Sequence, residues 1–321
     1  MNIAASTTNW QFPQRYRRGS CVRLATGIDL GLCQPQERRH GTGMVSYLRP
    51  TRMEDALAAL AAGPRVVLAG GTDFFPARVG RAVAEDVLDI SALANLRRIV
   101  QEEGGWRFPA LATWSDLLAL PLPPLFDGLK RAAREVGGVQ IQNTGTLLGN
   151  LCNASPAADG TPNLLCLDAT VELSSTAGTR RLPVAEFVLG NRRTARRPDE
   201  LATALLVPKP PGAARSTFLK LGARAYLVIS IVMVAGVIET GADGRIAKAR
   251  IAIGACSAVA QRLPALEAAL VGVRPTPALA ERVSLAHLTP LAPIDDVRGT
   301  AAYRLDAALT LVRRAVRELA S

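Results

Sequence analysis

Two glycine-bearing stretches constrain this chain most. They are Ala69-Gly70-Gly71-Thr72-Asp73, and Thr144-Gly145-Thr146-Leu147-Leu148-Gly149-Asn150, which continues to Ala154-Ser155-Pro156 and Asp159. In the first, an apolar strand-like run, Arg65–Ala69, ends in two residues that tolerate φ > 0. Consecutive N–H groups can then converge on an anion, and Thr72 adds a hydroxyl. In the second, Thr146, Gly149 and Asn150 offer a hydroxyl, a bare backbone and an amide within five positions. Asp159, nine residues past Asn150, is a carboxylate suited to accepting hydrogen bonds from ribose hydroxyls. Each stretch alone also reads as a plain turn or a structural loop. Two of them on one domain favour a dinucleotide with a pyrophosphate. Neither is a P-loop, and G-x-G-x-x-G is absent, so a Rossmann site is not supported.

Little other chemistry is on offer. The only histidines are His40 and His287, each without a ligand-spaced partner. That argues against a metal site and a Ser-His-Asp triad. Cys21, Cys33, Cys152, Cys166 and Cys256 form no C-x-x-C, which argues against a cluster or zinc knuckle in this chain and fits a reducing cytoplasm. The net charge of +11 fits a solvated basic surface, an acidic partner or a phosphate-bearing ligand. With aromatic residues at 4%, stacking on nucleic acid is not expected. The longest apolar run, Ala225–Ile238, is too short to span a membrane and reads as a buried strand. Arg17-Arg18 precedes no apolar region, so an export signal is not read there.

The chain of 321 residues, 49% hydrophobic, is long enough for two domains. Residues 1–43 are Arg- and Gln-rich and aperiodic; they read as a disordered extension. Beyond Met44 a short strand is expected at Val45–Leu48, then a helix begun by a Thr51/Glu54 capping box. Strands are expected at Arg65–Ala69, Asp86–Ile90, Leu96–Val100 and Trp106–Leu111. A helix follows at Leu125–Val136, an extended stretch at Val139–Asn143, a helix at Pro162–Leu167 and a strand at Ala169–Leu173. The Pro208-Lys209-Pro210-Pro211-Gly212 segment reads as a hinge. After it, strands Thr217–Leu221, Leu227–Glu239 and Ile246–Ala255 and helices Ala265–Val271 and Tyr303–Leu319 are expected. Arg192, Arg193, Arg196 and Arg197 form the densest basic cluster, read as a solvated loop or a docking site for a partner or anionic acceptor.

The run Gln142–Asn150 with Asn153–Asp159 resembles the flavin-binding medium subunit of molybdenum hydroxylases, the family of xanthine and carbon monoxide dehydrogenases. Supporting stretches are Leu68–Asp73, Asp89–Leu93, Arg193-Thr194 with Pro198–Leu201, Phe218–Gly222, Gly254–Ser257 and Pro293–Gly299. The resemblance implies an α+β chain. Residues 44–212 would form a vanillyl-alcohol-oxidase-type (PCMH-type) FAD domain with lobes at about 44–100 and 101–212. Residues 213–321 would form a C-terminal domain of three antiparallel strands with helices. It implies FAD held by Leu68, Ala69, Gly70, Gly71, Thr72, Asp73 and Phe74 and by Thr146, Leu148, Gly149 and Asn150. Asp159 would lie near the sugar and Lys220 at a flavin-contacting position. It implies no catalytic residue and no metal ligand in this chain. Electrons would pass from a large molybdenum-cofactor subunit through a small iron–sulfur subunit with 2Fe-2S clusters to this FAD, and on to NAD or a quinone-like acceptor. The assembly expected is a cytoplasmic dimer of heterotrimers. A structural docking subunit with a degenerate flavin site and a self-contained flavin reductase are the alternatives. Leu148-Gly149 stands where the family usually carries two glycines; the leucine would either crowd the pyrophosphate or turn inward.

Overall fold

The structure, a computed structural model, describes residues 45–321. The extension expected at 1–43 lies outside the described residues. The first elements are strand β1 (Tyr47–Leu48), helix α1 (Met53–Ala61), β2 (Val66–Leu68) and β3 (Val87–Asp89). They form a parallel three-stranded sheet of order β1-β3-β2. Ala56 and Leu60 are the buried face of α1. The expected Thr51 capping box does not form: Arg52 is the N-cap, without a side-chain bond.

A second sheet follows. Its strands are β4 (Val100–Glu102), β5 (Gly105–Pro109), β6 (Thr170–Ser175), β7 (Gly178–Pro183) and, after two short strands, β10 (Leu201–Pro208). The short pair is β8 (Val188–Gly190) and β9 (Arg193–Thr194). The order β4-β5-β10-β6-β7 is antiparallel throughout. Within the span expected as a strand at Leu96–Val100, Ala94–Leu96 is a 3-10 turn and β4 begins only at Val100. Helices α2 (Trp114–Ala119), α3 (Asp127–Glu135), α4 (Val139–Thr144), α5 (Leu147–Asn153), α6 (Gly160–Cys166) and α7 (Val184–Phe187) are strung between β5 and β8. Here a capping box does form, with the Thr113 hydroxyl accepting from Asp116 N at 3.1 Å and Asp116 Oδ2 from Thr113 N at 2.9 Å. Val139–Asn143, expected as extended, is helical. Its apolar-polar alternation imitates a strand, and α4 buries none of its residues, so it carries no core-facing stripe.

The C-terminal sheet is β11 (Ala213–Leu221), β12 (Val232–Thr240), β13 (Ile246–Gly254) and the two-residue β14 (Gln261–Arg262). It is antiparallel, in that order, one short strand beyond the three expected. Residues 225–231, expected at the start of β12, are irregular. Helices α8 (Pro264–Leu270) and α9 (Ala301–Leu319) complete the chain. Side chains on β12 alternate between two cores. Val232, Val234 and Ile238 join α8 and α9, whereas Met233, Ala235 and Val237 join the core that holds α3 and α6. The period-2 geometry of a strand thus lays helices on both faces of this sheet.

Candidate functional site

The two glycine stretches meet backbone to backbone. A Cβ on Gly70 would stand 2.0 Å from the Thr144 carbonyl oxygen, and one on Gly145 would stand 3.3 Å from Thr72 Oγ1. Gly71 has φ +72° and presses on the Phe75 ring, where a Cβ would lie 2.7 Å away. These glycines therefore let one loop seat against the other. The sequence reading assigned their missing Cβ to ligand approach; packing accounts for it first.

The junction borders a cavity of about 410 Å³, a volume in the range of small-molecule sites. Leu68, Ala69, Gly70, Gly71, Thr72, Asp73 and Phe74 line it, as do Thr146, Leu148, Gly149 and Asn150. The backbone N–H groups of Gly70, Gly71, Thr72, Asp73 and Phe74 find no acceptor among the described residues, and neither does the Thr72 hydroxyl. Five successive unpaired donors make an anion-binding concavity. Ile90, Ala110, Ile141, Leu201 and Ala202 add apolar wall.

The second stretch contributes differently from expectation. It opens helix α5, and the Thr146 hydroxyl is spent as N-cap, accepting from Gly149 N at 3.0 Å. Gly149 is needed because a Cβ there would lie 2.6 Å from Thr146 Oγ1. Leu148 turns inward: it borders the cavity, yet it is only 2% exposed and belongs to the main core. Of the two outcomes left open for this leucine, its burial favours the inward turn. Asn150 also lines the cavity, but its Oδ1 is buried without a partner among the described residues and faces inward, 2.8 Å from where a Cβ on Gly160 would stand.

Asp159 and Lys220 do not line the cavity. They pair with each other at 2.7 Å, side chains 8% and 4% exposed, and Ser230 donates to Asp159 at 2.6 Å. Burial pushes the Asp159 carboxyl above its ordinary value against the pull of Lys220 and Ser230. Burial also raises the neighbouring Glu135. The carboxylate read as a ribose acceptor is thus engaged inside the protein. Its partner, 61 residues away, leaves no mark in local sequence.

Three cationic residues that the sequence did not place at the site line the same cavity: Arg78, Arg192 and Arg196. Arg78 stacks on the Phe74 ring at 4.0 Å and pairs with Glu85 at 2.7 Å. Arg192, at φ +54°, donates to Asn153 Oδ1 at 2.6 Å. Arg196 Nη1 donates to the carbonyls of Arg197, Pro198 and Glu200. The Cys152 thiol also lines the cavity, and burial pushes it up to about 12, so it stays protonated at neutral pH. Among the described residues no cluster of three or more His, Cys, Asp or Glu side chains could hold a metal ion. No helix among them is long and apolar enough to cross a membrane.

This arrangement matches known proteins. The family described as the FAD binding domain in molybdopterin dehydrogenase matches residues 43–210, and the CO dehydrogenase flavoprotein C-terminal domain matches 217–319. The nicotinate dehydrogenase FAD-subunit of Eubacterium barkeri is 37% identical over 174 residues, 53% of this chain and 59% of that one. The carbon monoxide dehydrogenase medium chain of Afipia carboxidovorans is 32% identical over 85% of this chain and 96% of its own. A chain of reconstituted CO dehydrogenase from Oligotropha carboxidovorans superposes with a TM-score of 0.78 at 27% identity, covering 87% of this chain and 98% of that one. With both domains matched in order across nearly all described residues, the chain belongs to the medium, FAD-binding subunits of the molybdenum hydroxylase family of oxidoreductases.

Proposed function

We propose that this chain is the electron-transfer subunit of a three-component molybdenum hydroxylase. Its FAD would take electrons from 2Fe-2S clusters in a small partner subunit and pass them to NAD or a quinone-like acceptor. The molybdenum cofactor would sit in a large subunit, and the assembly would be a cytoplasmic dimer of heterotrimers. The observation that carries this reading is the meeting of the two glycine stretches at one cavity, with five N–H groups that have no acceptor among the described residues. Those groups fit FAD: the N–H row from Gly70 to Phe74 would hold the diphosphate, with Thr146, Leu148, Gly149 and Asn150 forming the facing wall. We also propose that Lys220, held by Asp159 at 2.7 Å, supports the flavin site from outside the cavity lining. When bound, FAD supplies exchange between one-electron carriers and a two-electron acceptor. The protein's own part is to position it, exclude water from the apolar wall and keep the Cys152 thiol protonated.

The boundaries proposed are 44–212 for the FAD domain, with lobes at about 44–100 and 101–212, and 213–321 for the C-terminal domain. The test is co-expression with the neighbouring small and large subunits. The expected result is one FAD per chain, reduced when the complex meets its substrate. Failure to take up FAD within the assembled complex would overturn the reading in favour of a structural docking subunit. NAD(P)H oxidation by this chain alone would favour a self-contained reductase.

A further inference from the structure

Arg192 and Arg196 are the cations of this cavity with no carboxylate within ion-pair distance among the described residues. Arg192 spends Nη1 on Asn153, and Arg196 spends Nη1 on three carbonyls. No hydrogen bond to the described residues is made by Nε or Nη2 of either guanidinium. A fork with unspent donors on a cavity wall calls for an acceptor-rich, anionic ligand group.

Their place along the cavity says which group. Helix α5 runs beneath it, with Thr146 and Gly149 near its start and Cys152 and Asn153 at its end. Arg192 is tied to that far end, its N–H donating to Ala154 O at 3.0 Å. Seven residues at about 1.5 Å each separate the two ends by about 10 Å. The N–H row lies at the near end, where Thr72 meets Gly145. Next to it are α4, with Val139 and Ile141 exposed, and the loop carrying Tyr226 and Leu227, whose Leu227 reaches Gly138. An open apolar rim suits a planar redox ring that a partner has to approach. The arginine end is left for the other half of an elongated dinucleotide.

We propose that Arg192 and Arg196 hold the ADP half of the dinucleotide and set the preference for FAD over FMN. Beyond the diphosphate held by the N–H row, the ADP half offers the two unspent guanidinium forks ribose oxygens and purine nitrogens as acceptors, and a π face. This inference rests on the FAD reading above.

The experiment uses the full chain in its complex, stripped of flavin, with FAD, FMN, ADP, adenosine and inorganic pyrophosphate as separate titrants. Arg192→Gln and Arg196→Gln are each expected to weaken FAD and ADP about tenfold, in line with loss of a charged hydrogen bond, and to change FMN by less than about twofold. Arg192→Lys keeps the charge and should retain part of the affinity. Arg193→Gln and Arg197→Gln, off the cavity, should bind as the parent does. Pyrophosphate or adenosine sharing the loss shows which part of ADP the forks touch. Equal loss of FAD and FMN, or no loss of either, overturns the proposal while the FAD reading stands. Arginine-dependent ADP binding without FAD uptake supports the subsite and removes the FAD reading. Failure of the parent to bind either removes both.

Discussion

Leu148 shows how one side chain separates a working site from a damaged one. It stands where the sequence reading expected a glycine, yet it is buried in the main core while bordering the cavity. Replacing it removes packing and frees nothing for a ligand. Leu148→Gly should cost about 3–5 kcal/mol, from cavity formation plus glycine in a helix. FAD affinity should not rise, as read by chemical denaturation and flavin titration. Tighter FAD binding at unchanged stability would mean that the leucine does crowd the ligand. The residue scale is also where sequence reading reached furthest. Leu68–Phe74, Thr146, Leu148, Gly149 and Asn150 all reach the cavity, because a glycine stretch declares a close approach locally. What it does not declare is what approaches. At Gly70 the neighbour is the Thr144 carbonyl.

Elements were legible where they carry a period and a core-facing side. The helix at Tyr303–Leu319 and the strand at Ile246–Ala255 fall close to expectation, whereas β11 starts earlier than Thr217 and β12 later than Leu227. Strands β7 to β9 did not, since β7 buries none of its residues and β8 and β9 span only a few; β10, buried on both faces, shows no alternation to read. Sheet pairing there is held partly by charge. Glu172 on β6 takes a two-pronged bond from Arg107 on β5, one prong at 3.1 Å, and also accepts from Thr203 on β10 at 3.0 Å. Arg107, then Thr203 and Arg181, hold the Glu172 carboxyl below its ordinary value of 4.5 against burial. A carboxyl depressed in the folded state stabilises above its unfolded value, and that stability is lost as pH falls through the folded value. Acid titration should therefore loosen this sheet below about pH 4.5. Glu172→Gln should flatten that acid limb of the melting temperature against pH. An unchanged acid limb would assign the sheet's stability elsewhere.

Across the whole molecule, the long-range ties are the part that sequence left dark. Asp159 with Lys220, Asp168 with Arg250 and Arg262, and Arg131 with Glu318 all join residues more than sixty positions apart. Nothing local marks such partners. The first is buried, so breaking it from one side strands a charge. Lys220→Met should cost about 3–5 kcal/mol, and Lys220→Met with Asp159→Leu should recover much of it. Equilibrium unfolding of the single and double variants reads this; equal losses would show that the pair contributes packing alone.

Strand β12 makes the two halves answerable to each other. Each step along it changes which domain a side chain belongs to, so Met233, Ala235 and Val237 are as much the floor of the FAD domain as part of the C-terminal sheet. A change in the volume of one of these residues has to be matched by helices α3 or α6, in a different stretch of the chain. The two cores therefore share one strand as their common wall. The seam between them runs through every second residue of that strand, so a repacking of either side is felt on the other.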